Sequence, residues 1–252
     1  MSDAALNNTT AAPDTGMEPK TLVEGAYRRL RRNIVEGVHP PGEKLRVEHL
    51  KEQYDVGAGT LREALQLLVT DALVVAQGQR GFRVAPISLK DFEDITRTRV
   101  LIETEALRQS IALGDDDWEG RVLAAFHRLS RAEERLDDEA SAREDWEERN
   151  RVFHEVLISA CPSRWIQHFQ QILYRQSERY RRLSLFRNPI PRDVHAEHQL
   201  LCDTTVARDS EAACKVLTEH ILRTLDAVRH MPTEFLTAAA PVSLARQKAD
   251  QA

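Results

Sequence analysis

The sequence predicts a mainly α-helical protein, with a small N-terminal module and a larger C-terminal module made only of helices. Apolar residues recur at helical spacing along most of the chain. Two short runs of β-type residues, 74–77 and 82–85, interrupt this pattern once. After residue 88 the chain contains only two glycines, Gly114 and Gly120, which suits a bundle of long helices.

The composition is that of an ordinary globular protein. The chain of 252 residues is 42% hydrophobic and 30% charged, and it is long enough to bury a core. Its three cysteines, Cys161, Cys202 and Cys214, form no CxxC pair, so we expect free thiols in a reducing cytoplasm. No apolar run reaches 18 residues, which predicts that no segment spans a membrane. Residues 1–19 lack a basic start and an apolar stretch, and we expect a disordered tail there rather than a signal peptide.

Charge is divided unevenly along the chain. The formal net charge is −5 at pH 7. Residues 20–87, however, hold 11 Lys and Arg against 8 Asp and Glu, whereas residues 88–252 hold 24 against 29. A modestly basic module ahead of an acidic one is a hint that the first module contacts nucleic acid.

The N-terminal module has the outline of a winged helix-turn-helix, a DNA-binding fold. Residues 20–37 predict a first helix, residues 47–54 a second and residues 60–69 a third. Residues 78–81 form a hairpin-like turn between the two β-type runs, with glycine at both ends. Three helices followed by a β-hairpin within about 65 residues match that fold.

The predicted DNA contacts start from the third helix. Thr60 and Glu63 have the spacing of a capping box, which predicts that this helix begins at Thr60 and carries Arg62 in its first turn. The N-terminal residues of such a helix enter the major groove, so Arg62 is the first candidate. Further candidates lie at the start of the second helix, beside the DNA backbone, and at the hairpin tip, near the minor groove: Arg46, Gln79 and Arg80. The alternative is that Arg62 is merely an exposed helix residue and the hairpin an ordinary one.

The C-terminal module is predicted to be a bundle of six helices. They are expected near 88–112, 115–136, 140–160, 163–187, 192–207 and 209–231. A C-terminal tail, residues 233–252, is expected to follow them.

Three histidines stand out in this bundle, because His154, His198 and His220 each lie in the apolar pattern of a different helix. Neutral imidazoles that converge inside a bundle can bind Zn²⁺ or a similar divalent ion. The alternatives are that they are core histidines with satisfied hydrogen bonds, or that they line a ligand pocket without a metal. His195, one turn before His198, is a candidate substitute.

Two further groups of charged residues in the bundle allow more than one interpretation. Arg99 and Glu103 have the i, i+4 spacing of an ion pair on an exposed helix face. The run from Tyr174 to Arg182 is basic and aromatic, which would also fit a second nucleic-acid surface. We favour a solvated helix face there, with Tyr174 and Tyr180 bracing the bundle.

Several motifs closely resemble the signature of the GntR family of bacterial regulators. In the N-terminal module they are Arg62-Glu63-Ala64-Leu65, Leu73-Val74 and Arg80-Gly81-Phe82-Arg83-Val84. The helical module resembles the FCD class, the FadR-like branch of that family, at residues 99–103, 153–157, 197–198 and 219–221. Residues 114–119 and 179–181 are similar to segments of the branch that includes glutarate- and carbon-starvation-linked repressors.

This resemblance implies the organisation and the partners of the protein. We expect a DNA-binding domain over 20–87 and an effector-binding and dimerisation domain over 88–232. A two-fold protein matches palindromic half-sites, so a homodimer on double-stranded operator DNA is expected. The resemblance further implies a cytoplasmic repressor whose operator binding is controlled by a small organic acid.

The resemblance also implies the residues of the sensing site. In the FCD class, three histidines and an acidic residue four positions before the first of them commonly bind a divalent metal. Here the acidic position is held by Asn150, whose amide offers an oxygen but no charge. The family's pocket arginine matches Arg99, whose guanidinium suits a carboxylate. The expected effector-binding residues are Arg99, Asn150, His154, His198 and His220, and the last four are also expected to hold the metal.

The sequence departs from the family at the start of the third helix. The usual Val-Ser-Arg-Thr-Pro-Val-Arg-Glu-Ala-Leu stands here as Val56-Gly57-Ala58-Gly59-Thr60-Leu61-Arg62-Glu63-Ala64-Leu65. The serine and the first arginine are replaced, so two side-chain contacts to DNA are lost. We expect the backbone at Gly57 and Gly59 to approach DNA closely instead, beside Thr60 and Arg62. The operator sequence is therefore expected to differ from the common one.

A metal-dependent enzyme built on the three histidines is the main competing function. Against it, residues 195–198 read His-Ala-Glu-His rather than HExxH, and no GxSxG or P-loop motif is present. A helical scaffold with a fortuitous winged helix is a third hypothesis, which DNA binding that weakens steeply with salt would exclude. The sequence therefore predicts a regulator and not an enzyme.

Overall fold

The computed structural model describes residues 19–78, 81–136, 140–186 and 192–231. They form an N-terminal domain of three helices and a three-stranded sheet, followed by a bundle of six helices. The mainly α-helical fold class, with a winged helix-turn-helix ahead of a helical bundle, is confirmed. None of the described helices is long and apolar enough to cross a membrane.

The N-terminal domain has the winged helix-turn-helix arrangement. Its elements are, in order, α1 (Leu22–Val35), β1 (Lys44–Leu45), α2 (Val47–Tyr54), α3 (Ala58–Thr70), β2 (Val74–Ala76) and β3 (Phe82–Val84). The strands form one antiparallel sheet in the order β1-β3-β2. The β2–β3 hairpin is the predicted one, and Gly78 and Gly81 in its turn have φ angles of 54° and 87°, which favour glycine. Strand β1 has no counterpart among the sequence predictions, because two residues show no periodicity.

Helix α3 begins earlier than the sequence predicts. Its N-cap is Gly57, no side chain caps it, and the Leu61 amide donates to the Gly57 carbonyl oxygen at 3.1 Å. Thr60 is therefore a half-buried residue inside the first turn, and the predicted capping box with Glu63 is wrong. The turn that precedes α3 is short: Asp55 ends α2 in the left-handed conformation (φ 52°), Gly57 is extended (φ −65°, ψ 154°), and the chain is helical from Ala58 onward.

The core of the N-terminal domain holds α3 firmly against α1 and the sheet. Its largest members come from all of these elements: Leu30, Ile34, Leu45, Leu50, Leu61, Leu65, Leu68, Leu73 and Val84. Burial of one such side chain contributes about 1.5–3 kcal/mol. Tyr54 is the polar member, and its hydroxyl lies 2.6 Å from Nδ2 of Asn33 and 2.9 Å from Nε2 of His39.

The C-terminal domain consists of α4 (Leu89–Leu113), α5 (Asp116–Glu133), α6 (Ala140–Leu157), α7 (Arg164–Phe186), α8 (Val194–Val206) and α9 (Ser210–Arg229). All six helices begin and end within three residues of their predicted bounds. Four of them have an N-cap side chain that accepts a hydrogen bond from the backbone N–H three residues later. These N-cap residues are Ser88, Asp115, Asp193 and Asp209. These local caps explain why the bounds are readable from the sequence.

In the bundle, α4 packs on α7 and α9, α5 packs on α6 and α8, and α8 packs on α9. Trp118 is central to its apolar core, and Nε1 of Trp118 donates to the Val156 carbonyl oxygen at 3.0 Å. Gly114 lies so close to this ring that an added Cβ would be 2.3 Å from it. The inner faces of α4, α6, α7, α8 and α9 carry, beside this core, the buried polar residues described below.

Helix α7 differs most from its prediction. Four of the six basic and aromatic residues in its run are at most 6% exposed: Tyr174, Arg179, Tyr180 and Arg181. The predicted solvated face is therefore wrong. The two tyrosines do brace the bundle, and Tyr180 stacks on Phe92 with 4.3 Å between ring centroids. The run is buried because α7 lies between the bundle and the N-terminal domain, where Arg179 donates to the Ala85 carbonyl oxygen at 3.0 Å.

Candidate functional site

Three histidines converge in the interior of the C-terminal bundle. His154 lies on α6, His198 on α8 and His220 on α9, and their candidate ligand atoms all lie within 4.8 Å of one another. Their exposed fractions are 3%, 0% and 8%. The structure thus brings together the three histidines that the sequence singles out, although they lie on three different helices.

Two glutamates fix the orientation of two of these rings. Glu133 Oε1 lies 2.7 Å from Nδ1 of His198, and Glu197 Oε2 lies 2.9 Å from Nδ1 of His220. Each carboxylate accepts the Nδ1 proton and leaves Nε2 of its histidine with a free lone pair. Nε2 of His198 is buried and has no hydrogen-bond partner among the described residues. Carboxylate–histidine pairs of this kind commonly support histidines that bind a metal.

The cluster favours neutral rings. Burial lowers the pKa of His154 well below its ordinary value, and the neighbouring histidines and the charges of Arg99 and Arg181 lower it further. Burial likewise lowers the pKa of His220 to about 3, although its hydrogen bond to Glu197 acts in the opposite direction. Neutral imidazole is the form that ligates a metal, so protons do not compete for these two rings near neutral pH.

Asn150 is the fourth candidate ligand. It lies one turn before His154 on the same face of α6 and is 2% exposed. Its Nδ2 donates to the Tyr174 hydroxyl at 2.7 Å, which fixes the amide, while its Oδ1 is buried without a partner among the described residues. Three imidazoles and one amide oxygen, with orphaned buried atoms on His198 and Asn150, fit a divalent ion. The set carries no negative charge.

His195 lies outside the cluster. Its side chain is 49% exposed, and its Nδ1 lies 2.7 Å from Oε2 of Glu133. Burial would raise the pKa of Glu133, but hydrogen bonds from His198 and His195 outweigh that effect and lower it. His195 therefore acts on the same carboxylate that orients His198, and the structure does not support it as a substitute ligand.

Two buried arginines lie beside the histidines, against the ring of Tyr174. Cζ of Arg99 is 5.3 Å and Cζ of Arg181 is 4.5 Å from the ring centroid. Arg99 donates to both carboxylate oxygens of Glu103, with 2.6 Å between Nε and Oε1. The predicted i, i+4 pair thus exists, but it is buried rather than on an exposed face. Arg181 donates to both oxygens of Glu147 in the same way.

Ser177 links the two arginines, because its Oγ accepts from Nη1 of Arg99 at 3.0 Å and from Nη1 of Arg181 at 3.4 Å. Gln170, two turns before Ser177, is 1% exposed, and both of its amide atoms lack a partner among the described residues. Guanidinium groups and unsatisfied amides in one interior suit a small molecule with a carboxylate.

Sequence reasoning missed several residues of this site. Arg181 and Glu147 were not candidates, nor were the two glutamates that orient the histidines. A signal was available for the first two. Arg181 follows Tyr174 by seven residues and Glu147 precedes His154 by seven, which places each on the inner face of its helix.

The exposed face of α3 is the candidate DNA-reading surface. Arg62 is the fifth residue of α3, so it lies in the second turn rather than in the predicted first. It is exposed and has no ion pair with a described residue, and the same is true of Arg46 at the N-cap of α2. Both guanidinium groups are therefore available to a phosphate or a base edge.

Two glycines open the start of this surface. A Cβ added at Gly57 or Gly59 would meet nothing within 4 Å, so the backbone there is accessible. Gly59, Arg62 and Gln66 lie on one exposed face of α3 at i, i+3 and i+7. Gln66 was not a sequence candidate, yet its amide suits the edge of adenine. Two predicted contacts at the hairpin tip lie outside the described residues: Gln79 and Arg80.

Comparison with known proteins identifies both domains. The family model described as bacterial regulatory proteins of the gntR family matches residues 22–84. The model of the FCD domain matches residues 94–223. The chain belongs to the GntR family. Its FCD domain places it in the branch that the sequence motifs resemble, so that prediction is confirmed.

Relatives of this GntR protein match over most of its length. The HTH-type transcriptional regulator BphR of Paraburkholderia xenovorans is 48% identical over 220 residues, which are 87% of this chain and 90% of that protein. The HTH-type transcriptional repressor GlaR of Escherichia coli is 35% identical over 206 residues, which are 80% of this chain and 93% of that protein. Among solved structures, E. coli McbR/YncC has the same fold, with a TM-score of 0.66 at 19% identity over 83% of this chain and 97% of that one.

Family membership decides between the functions considered above. The protein is a ligand-responsive, DNA-binding transcription regulator and not an enzyme. FCD domains often bind metal ions, and GntR regulators usually act as dimers on operator DNA. The histidine cluster is therefore not the centre of a metal-dependent enzyme, and its chemistry is that of recognition.

Proposed function

We propose that this GntR protein is a repressor whose binding to operator DNA is controlled by a small organic acid, bound beside a divalent metal ion in the FCD domain. The observation that carries the proposal is the interior site itself. It combines neutral histidines and unsatisfied buried amides with two buried guanidinium groups. Unsatisfied polar atoms are rare in a core that serves packing alone, which supports a bound ligand.

In this proposal Asn150, His154, His198 and His220 hold the ion. A bound divalent ion would supply a positive charge that attracts a carboxylate oxygen. The four side chains include no carboxylate that would offset this charge, and this favours an anionic effector over a neutral one. Arg99 is the proposed carboxylate-binding residue, for which the effector competes with Glu103.

Zinc binding tests the site with a matched pair of variants. His198 and His195 both contact Glu133, but only His198 belongs to the cluster. We expect His198→Ala to weaken Zn²⁺ binding about 100-fold or more, measured by competition with a chelator, and His195→Ala to change it by less than about threefold. Equal affinities for both variants and the wild type would contradict the proposed metal site.

On the DNA side, we propose that α3 enters the major groove of the operator. Arg62 reads a base edge there, the backbone at Gly57 and Gly59 approaches the phosphates beside Thr60, and Arg46 binds the DNA backbone. Gln79 and Arg80 at the wing tip are proposed to reach the minor groove. We further propose a homodimer acting in the cytoplasm, and sedimentation equilibrium should then give twice the chain mass of 28.7 kDa.

Binding to the DNA that flanks its own gene tests the reading role of α3. One good base contact contributes about 1–3 kcal/mol of discrimination, so Arg62→Ala should weaken specific binding about 5- to 150-fold. Arg128→Ala, an exposed arginine on α5 in the bundle, is the matched control and should change the affinity by less than about twofold. Retention of specific binding by Arg62→Ala, or an equal loss in both variants, would contradict the proposal.

A further inference from the structure

Helix α7 faces the interior site on one side and the N-terminal domain on the other. Tyr174, Ser177 and Arg181 follow one another at i, i+3 and i+7 and line the interior site. The adjoining face carries the residues that bond to the N-terminal domain: Arg175, Gln176, Glu178 and Arg179. Along a few turns of α7, side chains that line the interior site alternate with side chains that bond to the N-terminal domain. This single helix therefore connects the two domains.

The first of these connections is made to the C-terminal end of α3, the proposed DNA-reading helix. Asp71 is the C-cap of α3. Nη1 of Arg175 donates to its Oδ1 at 3.3 Å, and Gln176 donates to its carbonyl oxygen. The Tyr27 hydroxyl donates to the other carboxylate oxygen, which ties the same residue to α1. Helix α7 thus holds both the side chain and the backbone of the residue at which α3 ends.

The second connection joins α7 to α1 through a buried charge. Glu178 has a side chain that is 6% exposed, and it accepts from Arg31 on α1 and from Nε of Arg182 at 3.1 Å. Burial raises the pKa of Glu178, but the charges of Arg31 and Arg182 outweigh that effect and lower it. The charge of Arg181 acts in the same direction. Since Arg181 belongs to the interior site, the charges of the two sites are adjacent.

Both guanidinium groups of the interior site are already bonded to buried glutamates. Arg99 is bonded to Glu103 and Ser177, and Arg181 is bonded to Glu147 and to the same serine. A carboxylate that binds either guanidinium competes with a buried glutamate, and a buried carboxylate left without a partner is costly. Displacement of these pairs therefore moves groups of α7, and packed helices respond by shifts between discrete arrangements.

We propose that α7 transmits occupancy of the interior site to α3 through Arg175 and Gln176 on Asp71, while the pair of Glu178 and Arg31 fastens α7 to α1. The inference rests on the proposed function and adds the route by which that site regulates DNA binding. Effector binding at the inner face of α7 changes the contacts of α7 with Asp71 at the end of α3. This change moves the DNA-reading surface.

The test removes the hydrogen bonds from α7 to Asp71 and leaves the interior site and the DNA-reading surface unchanged. Arg175→Met/Gln176→Met puts unbranched apolar side chains at both positions and abolishes the polar bonds to Asp71. Arg164→Met/Gln171→Met makes the same two changes at exposed positions in the N-terminal half of α7 and is the matched control. Arg175→Met alone, at a side chain that is 38% exposed, is the milder variant if the double variant does not fold.

The readout is hydrogen–deuterium exchange of the amides of residues 67–71, measured on the full chain with and without Zn²⁺ and acetate, the smallest carboxylate probe. Allosteric coupling typically amounts to 5-fold or more, so we expect a change in exchange of about that size in the wild type and the control. In the Arg175→Met/Gln176→Met variant the change should fall below about twofold. Its affinity for Zn²⁺ should equal that of the wild type.

The outcomes separate the inference from the proposal on which it rests. A double variant whose α3 amides respond like those of the wild type overturns the inference and leaves the metal site standing. A wild type that binds Zn²⁺ but shows no change in these amides overturns it as well. A wild type that binds no Zn²⁺ contradicts the proposed function itself.

Discussion

Asn150 sets the charge of the candidate metal site. Its amide stands beside neutral imidazoles, and Tyr174 holds it with Oδ1 unpaired. Asn150→Asp adds a negative charge in the same place, and the Tyr174 hydroxyl can donate to it. We expect the affinity for Zn²⁺ to rise about 10- to 100-fold, measured by chelator competition near neutral pH. An unchanged affinity would mean that Asn150 does not face the ion.

The buried histidines make the metal-free protein sensitive to acid. The pKa of His220 is lowered from 6.5 to about 3, and that of His154 is lowered well below 6.5. In the unfolded chain both rings take up a proton as the pH falls through about 6.5, whereas the folded protein does not. Their contribution to stability is therefore complete above that pH and is lost as the pH falls toward the folded values.

This prediction is measurable by urea unfolding in the presence of a chelator. Between about pH 7 and pH 5.5 each such histidine should cost roughly 1 kcal/mol of unfolding free energy. His220→Gln removes one titrating group and should make the dependence on pH shallower by about that amount. A variant with the same pH dependence as the wild type would show that His220 is not held neutral.

Residue roles were only partly predictable from the sequence. The histidines are visible because a polar ring interrupts an apolar helical pattern. Their glutamate partners are not, because Glu133 and His198 are 65 residues apart and meet only when two helices pack. The Arg99–Glu103 spacing is visible as well, but burial depends on what covers that face of α4.

At the scale of the helices, Gly114 and Gly120 form a matched pair that tests the packing of α5. A Cβ at Gly114 would lie 2.3 Å from the Trp118 ring and 2.7 Å from the Ser110 carbonyl oxygen, whereas one at Gly120 would meet nothing within 4 Å. Gly114→Ala should therefore lower the free energy of unfolding by about 1–3 kcal/mol. Gly120 is an exposed residue in the middle of α5, so Gly120→Ala should raise the free energy of unfolding by about 0.5–1 kcal/mol.

Urea denaturation of both variants tests this prediction. The two variants make the same change, glycine to alanine, at positions six residues apart. Equal effects would mean that the close contact between Gly114 and Trp118 does not exist in solution.

The bounds of the helices were predictable, whereas the environment of α7 was not. Helix ends depend on local signals such as Ser88 and Asp115, which cap α4 and α5. A basic run on a helix can face solvent or pack against a charged domain. The sequence of α7 does not distinguish the two, and the solvated face is the commoner one. The start of α3 was misplaced because the tight turn from Asp55 to Gly57 starts the helix without a side-chain cap, which the spacing of Thr60 and Glu63 does not reveal.

At the scale of the whole molecule, a basic DNA-binding domain is docked on an acidic bundle through partly buried polar contacts. The pair Asp71 and Arg175 spans 104 residues and the pair Arg31 and Glu178 spans 147. Such contacts between distant residues have no signature in the spacing of a sequence. The function itself was predictable, because the motifs that resemble the GntR family stand in the sequence itself, and both family models match the chain.

In the proposed function, the interior site of the FCD domain controls the affinity of the N-terminal domain for DNA. A fluorescence-anisotropy titration with the DNA that flanks the gene, with and without Zn²⁺ and acetate, compares the wild type with Arg99→Met. We expect these additions to weaken binding by the wild type about fivefold or more and to leave Arg99→Met nearly unaffected. An affinity of the wild type that stays the same under both conditions, or an equal change in Arg99→Met, would contradict the proposed function.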